Sequence, residues 1–391
     1  MKNVSRLLLM AALAAVFALP AFAQDTAAGG GAAAQCTAEA DAKAALYKKF
    51  LDNYKGTPPQ QKTASDTGHE YLTKYGNCPD DADKKIATFI QNWVSKYDVA
   101  ARNFACTDAV AQKDYAKAFE ACHVILSAEP DNLDTMLLLA VAGLNNAASP
   151  NSNKSLNADA LAVARHAAEL IESGKSPTKW DPFANRDEAL GFLYYTQGVE
   201  LFDSSPTDAA AAFQKAAQSN SKYKREPSTY TYLGTIYERN ELAKLVEDYK
   251  AAFPPGVPIP DEKKPQYQQM LDQIGKVQAR IVDAYARAAS YMNADPKADA
   301  TRKKAVMDKL TGYYKALHND SDAGLPQLIA NVTSTPLMLP GQEPAPAPTT
   351  PATTTTGTDG NGAKPASTPT PASKPPLSKG TPAGGRTTSG H

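Results

Sequence analysis

The residue types that most often carry out catalysis are scattered along this chain. No H-E-x-x-H, G-x-S-x-G, P-loop or G-x-G-x-x-G motif is present. Cys122 and His123 are adjacent on a predicted helix, where neighbouring side chains point to different faces, so we do not expect a catalytic dyad. The histidines are isolated from one another: His69, His123, His166, His318 and His391. The sequence therefore predicts that the protein is not an enzyme and needs neither a metal nor a cofactor.

One carboxylate cluster has part of the spacing of a calcium-binding loop. Asp80, Asp81 and Asp83 follow one another closely, but the loop glycine and the terminal glutamate are missing. Negative charge at the start of a helix stabilises the helix dipole. We therefore interpret these residues as the N-terminal turn of a helix.

The N-terminus has the pattern of a secretory signal peptide. Lys2 and Arg6 precede an apolar stretch, residues 7–19, and Ala21 and Ala23 form a small-x-small cleavage site. The apolar stretch is shorter than the roughly 20 residues that a spanning helix needs. We predict cleavage after Ala23 and a periplasmic or secreted protein without a transmembrane segment.

The cysteine content fits export to an oxidising compartment. An even number of cysteines in an exported chain favours two disulfides, and three connectivities are open. No C-x-x-C motif indicates a redox or zinc site. Lipidation of Cys36 is disfavoured, because the preceding residues 33–35 lack a leucine. The four cysteines are Cys36, Cys78, Cys106 and Cys122.

The balance of charges and the C-terminal composition exclude some partners and leave others open. Lys plus Arg and Asp plus Glu both number 41, so no net field attracts nucleic acid or anionic lipid. From Pro340 onward, Pro, Thr, Ala, Ser and Gly dominate, which predicts a disordered tail. The tail is interpreted as a spacer, a glycan-carrying arm or a cell-wall contact, or as a segment without a role.

Two stretches show the spacing of a helical-hairpin repeat. A helix, a proline-marked turn and a second helix follow one another between Lys113 and Leu144. Further on, four residues reproduce the pattern W-x2-L-G-x2-Y, with tyrosine in place of tryptophan: Tyr230, Leu233, Gly234 and Tyr237. The first stretch places seven residues at the spacing of a second repeat helix: Tyr115, Ala118, Phe119, Cys122, Ile125, Leu126 and Pro130. The chain thus resembles a tetratricopeptide repeat (TPR) protein of the exported bacterial type.

The resemblance implies an all-α, right-handed solenoid of helical hairpins. We predict four hairpins, formed by residues 99–112 with 115–128, 133–145 with 158–171, 186–202 with 207–219, and 229–239 with 241–253. The predicted domains are a signal peptide (1–23), a flexible leader (24–37), N-terminal capping helices (38–98), TPR-like repeats (99–253), C-terminal helices (254–335) and a disordered tail (336–391).

The same resemblance implies a binding groove and one disulfide. The first helix of each TPR lines the concave surface, which would bind a protein or peptide partner. The groove would be formed by Leu137, Val141, Phe192, Tyr195, Val199 and Phe202. A second interpretation is that the C-terminal helices fill this groove and make it core. Cys106 and Cys122 would face each other in the first hairpin, which leaves Cys36 to pair with Cys78.

These features predict an exported scaffold for protein–protein interactions. The alternative is a cell-envelope assembly or cell-wall-associated factor that uses the Pro/Thr-rich tail.

Overall fold

The computed structural model describes residues 36–342, and all thirteen α-helices discussed here lie in that range. No strand occurs among these residues, which confirms the predicted all-α class. The predicted signal peptide, the leader up to residue 35 and the tail beyond residue 342 lie outside the described residues. No described helix is long and apolar enough to cross a membrane.

Residues 36–104 form the described part of the first of two compact units. Its core brings together Phe50, Tyr71, Ile90 and Val94, all with less than 2% of their surface exposed. The second helix begins after Thr57, whose backbone N–H donates to Gln60 Oε1 over 2.8 Å in a capping box. The helices are α1 (Ala40–Asn53), α2 (Pro58–Tyr75) and α3 (Asp81–Ala111).

The second unit comprises residues 105–342 of the described chain. A π-helical turn, Tyr237–Leu242, connects its sixth and seventh helices. The helices are α4 (Tyr115–Ala128), α5 (Leu133–Ala147), α6 (Asn157–Glu172), α7 (Arg186–Leu201), α8 (Pro206–Gln218), α9 (Pro227–Ile236), α10 (Ala243–Ala252), α11 (Lys264–Ala294), α12 (Ala300–Leu317) and α13 (Leu325–Asn331).

Short polar side chains determine where several of these helices begin. The Asn132 side chain accepts a hydrogen bond from the backbone N–H of Thr135 at the start of α5. Asn185 accepts one from Glu188 N–H in the same way at the start of α7. Such caps satisfy N–H groups that have no partner inside the helix.

Neighbouring helices of the second unit pack against each other in chain order from α4 to α9. Helices approach each other closely at the positions where the repeat pattern has glycine. A Cβ atom at Gly198 would lie 2.7 Å from the Phe213 ring, and one at Gly234 would lie 2.8 Å from the Tyr285 ring. Since real Cβ atoms do not come so close, glycine is required at both positions.

Both predicted disulfides are confirmed. Cys106 and Cys122 are bonded, with 4.8 Å between their Cα atoms, and thereby link the end of α3 to α4. Cys36 and Cys78 form the other pair, with a Cα–Cα distance of 5.9 Å. All four cysteines are used, as expected in an oxidising compartment.

Two predicted helix breaks are wrong. The chain does not break near residue 98, because α3 continues from Asp81 to Ala111 without a proline or glycine to end it. The predicted fourth hairpin does not turn back at residue 240 either. Helical structure continues from Pro227 to Ala252 through the π-helical turn, and α9 packs against α11 instead.

The predicted tail also begins too early at residue 336. Arg287 donates to the carbonyl oxygens of Thr335 (3.0 Å) and Pro336 (2.6 Å). The backbone N–H of Met338 donates to Asp283 over 3.2 Å. The first residues of the predicted tail are therefore bound to α11.

Candidate functional site

Two of the six predicted groove residues belong to the core. Leu137 has no exposed surface and Phe192 is 4% exposed. Both lie in one hydrophobic cluster formed by α4 to α8. A partner cannot contact them without unfolding the helices, so their assignment to an open groove is corrected.

Two others form the contact between successive hairpins. The Tyr195 ring lies 5.0 Å from the Tyr223 ring, and its hydroxyl is 2.8 Å from the hydroxyl of Ser228. The Phe202 ring lies 4.9 Å from the Tyr232 ring. Burial raises the pKa of the Tyr195 hydroxyl. The side chains of Tyr195 and Phe202 are both half-buried. Their helical spacing therefore reflects packing between helices as well as exposure at the surface.

The remaining two predicted groove residues, Val141 and Val199, are half-buried and lie in different parts of the structure. Val141 packs against the cluster that holds Leu137. Val199, near the end of α7, lines a cavity instead. It is therefore the predicted groove residue that the structure places at a concave surface.

The cavity has a volume of about 390 Å³ and lies where the first turns of α6 face the last turn of α7. Half-buried Leu161 and Val199 form an apolar part of its wall. Ionisable and polar groups form the rest. The complete lining is Lys154, Asn157, Ala158, Leu161, Val199, Glu200, Asp203 and Ser204.

Glu200 is the most unusual group in this cavity. Only 6% of its surface is exposed, and neither carboxyl oxygen has a hydrogen-bond partner. Burial raises the pKa of this carboxyl to about 7, because the charged form is poorly solvated there. A buried polar group without a partner is rare in folded proteins and requires an explanation.

Two further buried oxygens near Glu200 also lack partners. Asn157 Oδ1, at the start of α6, belongs to the cavity lining. Thr196 Oγ1 lies one turn before Glu200 on α7 and is fully buried. Glu200 and Asn157 thus carry three buried oxygens that no donor of the described chain uses and that have less than 1 Å² of accessible surface each.

A second cavity, of about 320 Å³, shows the opposite arrangement. Three of its polar residues are paired with one another, because Tyr194 donates to Glu172 and Lys215 Nζ lies 3.9 Å from Glu172. Lys215 also lies 4.9 Å from the centre of the Tyr194 ring. Burial and this hydrogen bond raise the pKa of the Tyr194 hydroxyl. These three residues link α6, α7 and α8.

The cavity next to Glu200 is a concave surface with apolar and polar lining residues. No group of three His, Cys, Asp or Glu side chains that could hold a metal ion occurs within residues 36–342. The cavity lining contains neither cysteine nor histidine. We therefore consider it a binding site for a ligand or a partner side chain.

Sequence reasoning missed Glu200 and Asn157. One signal was available, because Glu200 is a charged residue between Val199 and Leu201 on a helix rich in large apolar residues. Charged residues are almost never fully buried unless they are paired. The lack of a cation one turn away on either side, at Thr196 and Ser204, would have marked Glu200 as unpaired within its helix.

No protein-family model, curated protein or solved structure matches this chain. The resemblance to TPR proteins therefore stays a prediction from the spacing of residues.

Proposed function

We propose that this protein is an exported scaffold of the TPR-like solenoid type that binds a protein partner. The order of contacts supports the solenoid, because each helix from α4 to α9 packs on the next and α5 also contacts α7. The signal-peptide pattern and the two disulfides support export. Stacked hairpins of this kind form extended concave surfaces that such proteins use for binding.

The observation that carries the binding role is the cavity between the start of α6 and the end of α7, whose wall includes the half-buried Leu161 and Val199. Apolar surface in a concave site of this kind is typical of interaction sites. The binding surface accordingly centres on Val199 and the Glu200 cavity, rather than on the buried Leu137 and Phe192.

The partner would contact an apolar wall and a rim with one basic residue, Lys154, and one acidic residue, Asp203. Val199 and Leu161 offer half-buried apolar surface, and Asp203 is exposed beside them. Since aromatic and aliphatic anchors in pockets contribute most of the binding energy at interfaces, one side chain of the partner would enter the cavity.

Site-specific photocrosslinking in the producing cell tests this proposal. A photoreactive residue at Asp203 should give one defined crosslinked protein, identified by mass spectrometry. The matched control is Asp248 on α10, an exposed aspartate that lines neither cavity. The crosslink at position 203 should disappear with Val199→Asp. The same crosslinked species at both positions, or none at 203, would contradict the proposal.

The alternative of a cell-wall-associated factor depends on the tail, which lies outside the described residues. No contact within residues 36–342 favours it over the scaffold.

A further inference from the structure

We propose that the C-terminal tail of this chain docks on the cavity between α6 and α7. Leu377 contacts the apolar wall of the cavity, and Lys374 or Lys379 lies beside the carboxylate of Asp203. This inference deepens the proposed function and rests on it, because the tail would occupy the surface that the partner uses and would regulate access to it.

Leu377 is exceptional in its part of the sequence. It is the only Val, Ile, Leu, Met, Phe, Tyr or Trp among residues 343–391. Pro375 and Pro376 precede it, and lysines occupy positions 374 and 379. Because proline fixes the backbone angle φ, this stretch loses less conformational freedom on binding than an unrestricted chain does. Residues 374–379, which we call the docking segment, are therefore suited to binding through one apolar anchor.

The cavity between α6 and α7 matches the docking segment in size and chemistry. Leu161 and Val199 form a half-buried apolar wall, and Asp203 is exposed beside them. The volume of about 390 Å³ lies within the roughly 300–1,000 Å³ that is typical of ligand pockets. These three side chains retain accessible surface, so docking needs no contact with the buried oxygens of Glu200 and Asn157.

The two charged groups at the rim act in opposite directions on this segment. Asp203 attracts its lysines, whereas Lys154 repels them. Residues 374–379 contain no acidic side chain that could pair with Lys154. The tail therefore uses one of the two rim charges. A partner with a basic and an acidic residue can use both, bind more tightly and displace the tail.

The tail is long enough to reach this cavity. The backbone N–H of Met338 is bound to Asp283 of α11, and the described chain ends at Gln342. The stretch from there to Leu377 spans up to roughly 100 Å as extended polyproline II, and about 30 Å on average as a flexible chain. A compact unit of this size has a radius of gyration of roughly 18 Å. The docking segment can therefore reach the cavity from α11.

Tethering allows a weak contact to have an effect. A flexible linker of this length gives an effective concentration on the order of 1 mM. If the free docking segment binds with a dissociation constant of about 1 mM, the tethered segment occupies the cavity about half of the time. The apparent dissociation constant of a partner for the same cavity then rises about twofold. The tail therefore weakens partner binding modestly without preventing it.

Intramolecular photocrosslinking of the purified full chain tests the proposal. A photoreactive residue at Ser378 should crosslink to peptides from α6 and α7, identified by mass spectrometry. The matched control is the same photoreactive residue at Ser367, which lies in the same tail but has no large apolar neighbour. Leu377→Ser should remove the crosslinks from position 378. Thermal unfolding of each variant shows whether a lost crosslink reflects a lost fold instead.

Three changes at the cavity complete this experiment. Val199→Asp should remove the crosslinks from position 378, and Asp203→Lys should reduce them at least about twofold, as expected for a lost exposed ion pair. Lys154→Met should keep or increase them. Crosslinks that persist in Leu377→Ser or Val199→Asp, or equal patterns from positions 378 and 367, would overturn the proposal. Crosslinks between isotope-labelled and unlabelled copies would also overturn it, because the tail would then dock on a second molecule.

A peptide titration measures the contact itself. The probe is a synthetic peptide of residues 373–379 with blocked ends, added to the full chain with Leu377→Ser so that the cavity is free. We expect saturable binding by NMR with a dissociation constant on the order of 1 mM, and none when serine replaces leucine in the peptide. Absence of saturation would overturn the proposal. Partner crosslinking at position 203 should persist in the Leu377→Ser chain, so failure of this proposal is distinguishable from failure of the proposed function.

Discussion

Two buried carboxylates of the second unit have nearly the same burial and opposite surroundings. Asp283 on α11 is 7% exposed, and Glu200 on α7 is 6% exposed. The oxygens of Asp283 accept from Arg287 Nε at 2.9 Å and Nη2 at 3.0 Å, and also from the backbone N–H of Met338. Glu200 accepts from no group.

The difference lies in what the helix places one turn away. Arg287 follows Asp283 by four residues, so its side chain reaches the carboxylate on the same helix face. The helix of Glu200 ends at Leu201, so it has no residue one turn later, and Thr196 one turn earlier makes no hydrogen bond to Glu200. One carboxylate therefore holds the chain together, whereas the other is buried without a partner among the described residues.

The largest expected effect is at the paired carboxylate. Arg287→Met should reduce the free energy of unfolding by about 3–5 kcal/mol, because it leaves the charge of Asp283 buried and unpaired. Urea unfolding measures this loss. Asp283→Leu combined with Arg287→Met should recover most of it, since both charges are then absent. If the double variant were no more stable than the single one, charge pairing would not explain this region.

The next effect separates the core from the cavity wall. Leu137→Ala should reduce stability by about 2–5 kcal/mol, as usual for a fully buried leucine. Val199→Ala should cost about 1 kcal/mol or less, because the half-buried valine loses only part of its contact area. Thermal and urea unfolding compare the two variants. Equal losses would show that Val199 is as much a core residue as Leu137.

A further effect on stability concerns Glu200 and depends on pH. Its folded-state pKa of about 7 lies above the ordinary value of 4.5. The neutral carboxyl therefore favours the folded state below about pH 4.5, and this contribution is lost as the pH rises to about 7. Glu200→Gln should raise the melting temperature at about pH 8 and leave it nearly unchanged at about pH 4.5.

Asp203→Asn is the matched control for this variant, because Asp203 lines the same cavity but is exposed. It should change the melting temperature little at either pH. If Glu200→Gln changed the melting temperature by the same amount at both pH values, the carboxyl would not be buried in its charged form.

Much of the local structure could be predicted from the sequence. The bounds of α4, Tyr115–Ala128, coincide with those predicted for the second helix of the first hairpin. Capping residues and prolines interrupt the apolar pattern there, so each helix end has a local cause. The pairing of Cys106 with Cys122 followed from the TPR-like hairpin register and is confirmed.

The predictions were wrong where the structure depends on contacts between residues that are far apart in the sequence. The fourth hairpin was predicted from sequence register, but its turn at residue 240 has no proline or glycine, and Arg280 of α11 pairs with Glu241 over 2.7 Å. The prediction of the groove was wrong for the same reason. Apolar spacing on α7 does not distinguish a surface from a helix contact, and Tyr223 and Tyr232 of later segments cover Tyr195 and Phe202.

The most direct test is to measure the pKa of the Glu200 side chain itself. Carbon-13 NMR of glutamate-labelled protein, with the signal assigned through Glu200→Gln, gives this value. We expect a pKa near the value of about 7 that burial produces. A pKa near 4.5 would contradict the claim that Glu200 is a buried carboxylate without a partner, in contrast to the paired Asp283.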